Sequence, residues 1–290
     1  MVSQVKKYAS LVLFAHTLFA LPFALIGFTL AYTTTQPSSI WLLLGQVLLC
    51  MVAARNSAMS FNRYVDRFID AQNERTKERE LPSGKLSPRS VLLFFIINVL
   101  LFLGCALSIN PLCFYLALPA LIVLCGYSYT KRFTWLCHFV LGLALAIAPA
   151  GAYIAVTGTL VSPIVYLSLM VVFWVSGFDI LYALPDEQHD RLHCLHSIPQ
   201  RFGLKKALWI SGGLHLLVLP FLVLFGLSAH VSWGYWIAAS LFTALLIYQH
   251  AIIGVRDLSK LNRAFFTANG VASVLFAVLT IMAIILKERC

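Results

Sequence analysis

A chain of 290 residues that is 60% hydrophobic and 11% charged carries far more apolar sequence than a soluble core of this size needs, which excludes a soluble enzyme and predicts an integral membrane protein. The net charge of +10 does not mark a nucleic-acid surface: the basic residues fall in alternate loops, and membrane topology accounts for them. No nucleic-acid partner and no obligatory protein partner is expected; the lipid bilayer is.

In chain order, apolar stretches near 10–32, 39–60, 89–109, 112–128, 135–156, 160–183, 207–228, 231–250 and 267–286 predict nine transmembrane helices, each long enough to cross roughly 30 Å of hydrocarbon. The first follows Lys6 and Lys7 and superficially resembles a signal peptide. It is too long and lacks a clean small-x-small site, so it reads as a retained span. The fourth is the shortest, with Pro111 at its start and Pro119 inside, and is the one expected to tilt. No low-complexity linker divides the chain, so residues 1–290 read as a single membrane domain.

Lys and Arg occupy the amino terminus, 55–89, 131–132, 191–206 and 256–263, whereas the loops at 33–39, 108–112, 157–163 and 227–232 carry no charge. The positive-inside rule makes the first set cytoplasmic, as expected for a multi-pass protein of the cell (inner) membrane. Seven scattered cysteines without CxxC spacing read as free thiols.

The second span runs into FNRYVDRFID. Asn62, Asp66 and Asp70 stand at i, i+4 and i+8, so a helix carries them on one stripe, each about 6 Å above the last. Arg55, seven residues before Asn62, falls on nearly the same face. The sixth span ends in FDILYALPDEQHD, where Asp179, Tyr182, Asp186 and Asp190 form a second stripe if the helix continues through Pro185; a proline there removes one hydrogen bond and bends the axis. Carboxylates near a bilayer cost roughly 2.5–3.5 kcal/mol at a helix centre and less towards the interface, so two such clusters need a charged ligand. Mg²⁺ bound to a diphosphate fits, since Mg²⁺ prefers carboxylate and phosphate oxygens.

Basic candidates for that diphosphate are Lys131 and Arg132 in the shortest cytoplasmic loop, Arg67 beside Asp66, and Arg75, Arg79 and Lys85. His189, His193, Cys194 and His196 crowd one loop but match no usual zinc spacing. The faint repeat of acidic span end and basic loop predicts two similar halves with their acidic ends face to face. An ion-coupled transporter is the alternative from another class, but its charges should approach the bilayer midplane, and here they gather at one face.

RNSAMSFNRYVDRFID with RTKERELPSG, YSYTKRFTWLCHFVLG and FDILYALPDEQHD together resemble the UbiA family of membrane prenyltransferases, close to its 4-hydroxybenzoate polyprenyltransferase branch. The resemblance implies nine helices around a central cavity on the cytoplasmic side and Mg²⁺-dependent transfer of a polyprenyl group from polyprenyl diphosphate to a hydroxylated aromatic acid in ubiquinone or menaquinone biosynthesis. It further implies that Asn62, Asp66, Asp70, Asp186 and Asp190 hold the metal and diphosphate, with Asp66 also catalytic and Lys131, Arg132 and Arg67 as charge partners. Asp179 and Tyr182 would orient or help ionise the acceptor, and Arg55 would take its carboxylate. Three departures from the family pattern stand out: Arg63 after Asn62, Pro185 before Asp186, and Cys137-His138 where a Pro-Gln pair is more usual. Arg63 resembles the branch that prenylates acceptors for menaquinone by the futalosine route, so a naphthoate-type acceptor competes with 4-hydroxybenzoate.

Overall fold

A computed structural model describes residues 2–12, 19–37, 39–254, 258, 260–261 and 263–287. The described elements are helical, and eight of the helices are long and apolar enough to cross a membrane. Seven of the predicted spans match these helices to within a few residues at each end; the second continues well past its predicted end. The remaining span, 10–32, corresponds to a 15-residue apolar helix, Leu21–Thr35; part of the predicted stretch, 13–18, lies outside the described residues. The chain separates into two compact units, Met1–Thr17 with Trp41–Tyr129, and Leu18–Ile40 with Thr130–Cys290.

The first unit holds α1 (Val2–Leu11), α3 (Ile40–Asp70), α4 (Pro88–Ile109) and α5 (Pro111–Thr130); α2 (Leu21–Thr35) belongs to the second. Pairing between α3 and α4 is antiparallel, since partner numbers fall as α3 advances. Gln46 Nε2 donates to Ser108 Oγ (3.0 Å), Asn56 Nδ2 to Asn98 Oδ1 (2.9 Å), and Phe61 meets Phe95 at 5.1 Å between ring centres. Polar contacts of this kind join helices where lipid offers no hydrophobic drive. Leu81 and Leu86 of the loop between them pack in an apolar cluster with Leu11 of α1 and Val91 of α4. Ser87 caps α4 by accepting from Ser90 N–H, with Pro88 in the first turn. Leu93, Leu100 and Ile122 are exposed, as side chains facing lipid should be.

In the second unit, α7 (Ser162–Tyr182) lies at the centre, packed by α6 (Cys137–Thr157) and α10 (Leu204–Ser228). Around these lie α2, α11 (Gly234–Ile252) and α12 (Asn269–Lys287). Trp174, Phe225, Phe242 and Phe276 are fully buried in its core. Close approach needs glycine: a Cβ at Gly27 would meet the Pro149 carbonyl, and one at Gly142 the Val172 carbonyl. A π-helical turn, Arg263–Ala268, leads into α12.

Pro185 decides the shape after α7. The helix stops at Tyr182, Leu184–Asp186 form a 3₁₀ turn, and α8 (Glu187–Leu192) and α9 (Ile198–Phe202) follow. The stripe conditional on a continuous helix therefore does not form.

Candidate active site

The first acidic set rides on α3, whose 31 residues run unbroken through Asp70. Asn62 Nδ2 donates to Asp66 Oδ2 at 2.9 Å, one helical turn apart. Asp70 is buried; its Oδ1 pairs with Arg79 Nη1 at 2.7 Å, so the loop folds back onto the helix end. Asp70 Oδ2 is buried and has no hydrogen-bond partner among the described residues. Thr76 Oγ1 fastens the turn by donating to the Asp70 carbonyl at 2.9 Å. Arg63 is buried within range of Arg79, Asp70 and Glu80. Arg55 has a buried Nε without a hydrogen bond among the described residues. Arg67 donates to the Tyr64 carbonyl and lies over the Tyr64 and Phe68 rings, at 4.4 and 4.3 Å.

The second set spans three successive elements. On α7, Asp179 Oδ2 lies 2.7 Å from His138 Nδ1. Tyr182, one turn on, stacks on Phe265 of the π turn with ring centres 4.1 Å apart. Asp186 is buried in the 3₁₀ turn, and Asp190 on α8 is wholly buried. Asp190 is held from two sides: Lys131 Nζ sits 2.6 Å from Oδ1, and Ser197 Oγ donates to Oδ2 at 2.8 Å. Burial lowers the Lys131 pKa, but the Asp190 and Asp186 carboxylates outweigh it and hold the ammonium above its ordinary range. His196 N–H donates to the Lys131 carbonyl at 2.6 Å, joining the two loops. Arg132, the next residue, is exposed.

Among the described residues, no group of three or more His, Cys, Asp or Glu side chains is gathered to hold a metal. The oxygen donors nonetheless fit Mg²⁺ in kind, and Asp70 Oδ2 is a buried acceptor without a hydrogen bond among the described residues. The His189 and His193 rings lie 4.2 Å apart between centres and are tilted by 42°, and burial together with His193 lowers the His189 pKa.

Ser197 and His138 as partners of Asp190 and Asp179 were not foreseen. Ser197 had a local signal, because Ser197-Ile198-Pro199-Gln200 is a capping pattern and Ser197 Oγ accepts from Gln200 N–H. His138 showed only as a departure from the family pattern; its partner lies 41 residues away.

A family model described as the UbiA prenyltransferase family matches residues 20–271. A 4-hydroxybenzoate octaprenyltransferase of Xylella fastidiosa (strain 9a5c) is 32% identical over 261 residues, 87% of each chain. The apo structure of a UbiA homolog from Aeropyrum pernix K1 superposes with a TM-score of 0.82 at 25% identity, covering 95% of this chain and 98% of that one. A UbiA homolog from Archaeoglobus fulgidus bound to GPP and Mg²⁺ gives 0.76 at 23% identity, covering 96% and 99%.

Proposed function

The chain belongs to the UbiA prenyltransferase family, and we propose that it transfers a polyprenyl group to the ring of a hydroxylated aromatic acid, with 4-hydroxybenzoate as the first choice. The observation that carries this reading is the second acidic set. Asp190 is fully buried and is held by Lys131 and Ser197 in a short polar segment at the end of an apolar span, an arrangement suited to a highly charged ligand. The Xylella relative's name supports the acceptor.

In this reading Asn62, Asp66, Asp70, Asp186 and Asp190 serve a Mg²⁺-diphosphate, with Lys131, Arg132 and Arg67 as its cationic partners. Bound Mg²⁺ supplies charge neutralisation for the departing diphosphate. As the prenyl C1–O bond breaks, its electron pair leaves with the diphosphate, and Lys131 stabilises the charge that develops there. The allylic C1 takes an electron pair from the ring carbon ortho to the hydroxyl. Asp179 accepts the phenolic proton as that bond forms, giving a neutral dienone. Loss of the ring proton restores aromaticity while Asp179 returns its proton to the oxygen, so one proton is released overall. Tyr182 orients the acceptor, and Arg55 takes its carboxylate. The charge asymmetry of the loops supports an active site on the cytoplasmic side of the membrane.

A naphthoate-type acceptor for the menaquinone route is the second reading, favoured by Arg63 in the first motif. Membranes supplied with Mg²⁺, labelled polyprenyl diphosphate and either acceptor should yield one prenylated product, identified by mass. Product from neither, together with solute uptake into proteoliposomes, would return the chain to the transporter class.

A further inference from the structure

His138 lies in the first turn of α6, is buried, and its ring makes two hydrogen bonds whose directions constrain each other. Ile198 N–H points at its Nε2 at 3.3 Å. A backbone amide can only donate, so that nitrogen must accept and carries no proton. The ring proton then sits on Nδ1, from which it is donated to Asp179 Oδ2 at 2.7 Å. Ser176 Oγ donates to the His138 carbonyl at 3.2 Å, fixing the ring's helix against α7. Asp179 Oδ1 makes no hydrogen bond among the described residues, and the Asp179 side chain keeps 22% exposure.

Adjacent residues serve both acids. Ser197 donates to Asp190, and Ile198 donates to the histidine that holds Asp179. One short segment therefore ties the carboxylate assigned to the diphosphate to the carboxylate assigned to the acceptor.

We propose that His138 is a positioning residue, which holds Asp179 ionised and aimed so that its second oxygen receives the phenolic proton of the aromatic acceptor. The role rests on the prenyl-transfer reading above. His138 donates one hydrogen bond and transfers no proton, because the Ile198 amide blocks the far side of its ring. Asp179 Oδ1 forms the new O–H bond, and the phenol oxygen keeps the electron pair.

Leu and Asn have nearly the same shape, and only Asn can donate to Asp179. His138→Asn should keep kcat within about fivefold of the parent, while His138→Leu loses on the order of 100-fold in kcat, with the KM for prenyl diphosphate unchanged in both. The deficit of the Leu variant should shrink across a series of fluorinated 4-hydroxybenzoates, whose more acidic phenols depend less on the carboxylate. Equal loss in both variants, through unfolding or slow turnover, would assign His138 to packing and overturn the proposal. A deficit constant across the acceptor series would overturn it too. A parent chain inactive with every phenol, but intact by thermal unfolding in detergent, would instead overturn the prenyl-transfer reading and this role with it.

Discussion

The two acidic segments carry similar side chains on different backbones. On α3 an unbroken helix keeps Asn62, Asp66 and Asp70 in a single file, and the loop closes over its end through Arg79. After α7, Pro185 converts the equivalent stretch into helix, 3₁₀ turn and short helix, so Asp179, Asp186 and Asp190 each sit in their own surroundings. Asp179 acquires a histidine, and Asp190 a lysine and a serine. The continuous helix keeps its acids in line, whereas the broken one gives Asp179 a partner distinct from those of Asp190.

The largest expected effects test whether both segments are needed. Asp66→Asn and Asp186→Asn should each lower prenyl transfer by about 1,000-fold or more, with insertion into the membrane unchanged. Full activity in either variant would remove that segment from the chemistry.

Next comes the buried pair. Lys131→Met removes the cation from the wholly buried Asp190 and leaves it the Ser197 hydrogen bond. Because Lys131 itself is about a third exposed, the stability loss should be modest, about 1–3 kcal/mol, with activity down by about 100-fold. Combining it with Asp190→Asn should restore much of the stability and none of the activity, measured by thermal unfolding and product formation.

Pro185→Ala tests the break itself. If the broken backbone aims the distal acids, extending α7 should cost about tenfold in kcat/KM without lowering the thermal midpoint. Unchanged turnover would make the proline incidental and the two segments equivalent after all.

The smallest effect is on pH. His189 titrates below its ordinary range in the folded chain, so the unfolded chain binds the proton first as pH falls. Stability should be flat above about pH 6.5 and decline as pH drops through that value towards the lower folded pKa. His189→Gln should flatten the decline; thermal midpoints between pH 7.5 and 5.5 would measure it.

Much of this was legible in the sequence because the governing signals are local. Span positions follow from runs of apolar residues, and the file on α3 from fours in the numbering. Pro185 announced an interruption without specifying what replaced the helix, since that depends on how α8 and α9 pack. The His138–Asp179 pair was not legible: it joins two helices across 41 positions, and no local pattern encodes which turn of α6 meets which turn of α7. Arg67 was placed beside Asp66 by adjacency alone, which gave no sign that its guanidinium lies over Tyr64 and Phe68.

The polar rungs between α3 and α4 have a consequence for biogenesis. Gln46 with Ser108 and Asn56 with Asn98 sit ten residues apart on each helix, so a slip of one turn unpairs both at once. In hydrocarbon the Asn56 amide would have fewer alternatives than in water, whereas Asn98 Nδ2 also donates to the Phe94 carbonyl at 2.8 Å. The two rungs thus favour one alignment of this hairpin over its neighbours one turn away, and both are encoded before the second acidic segment.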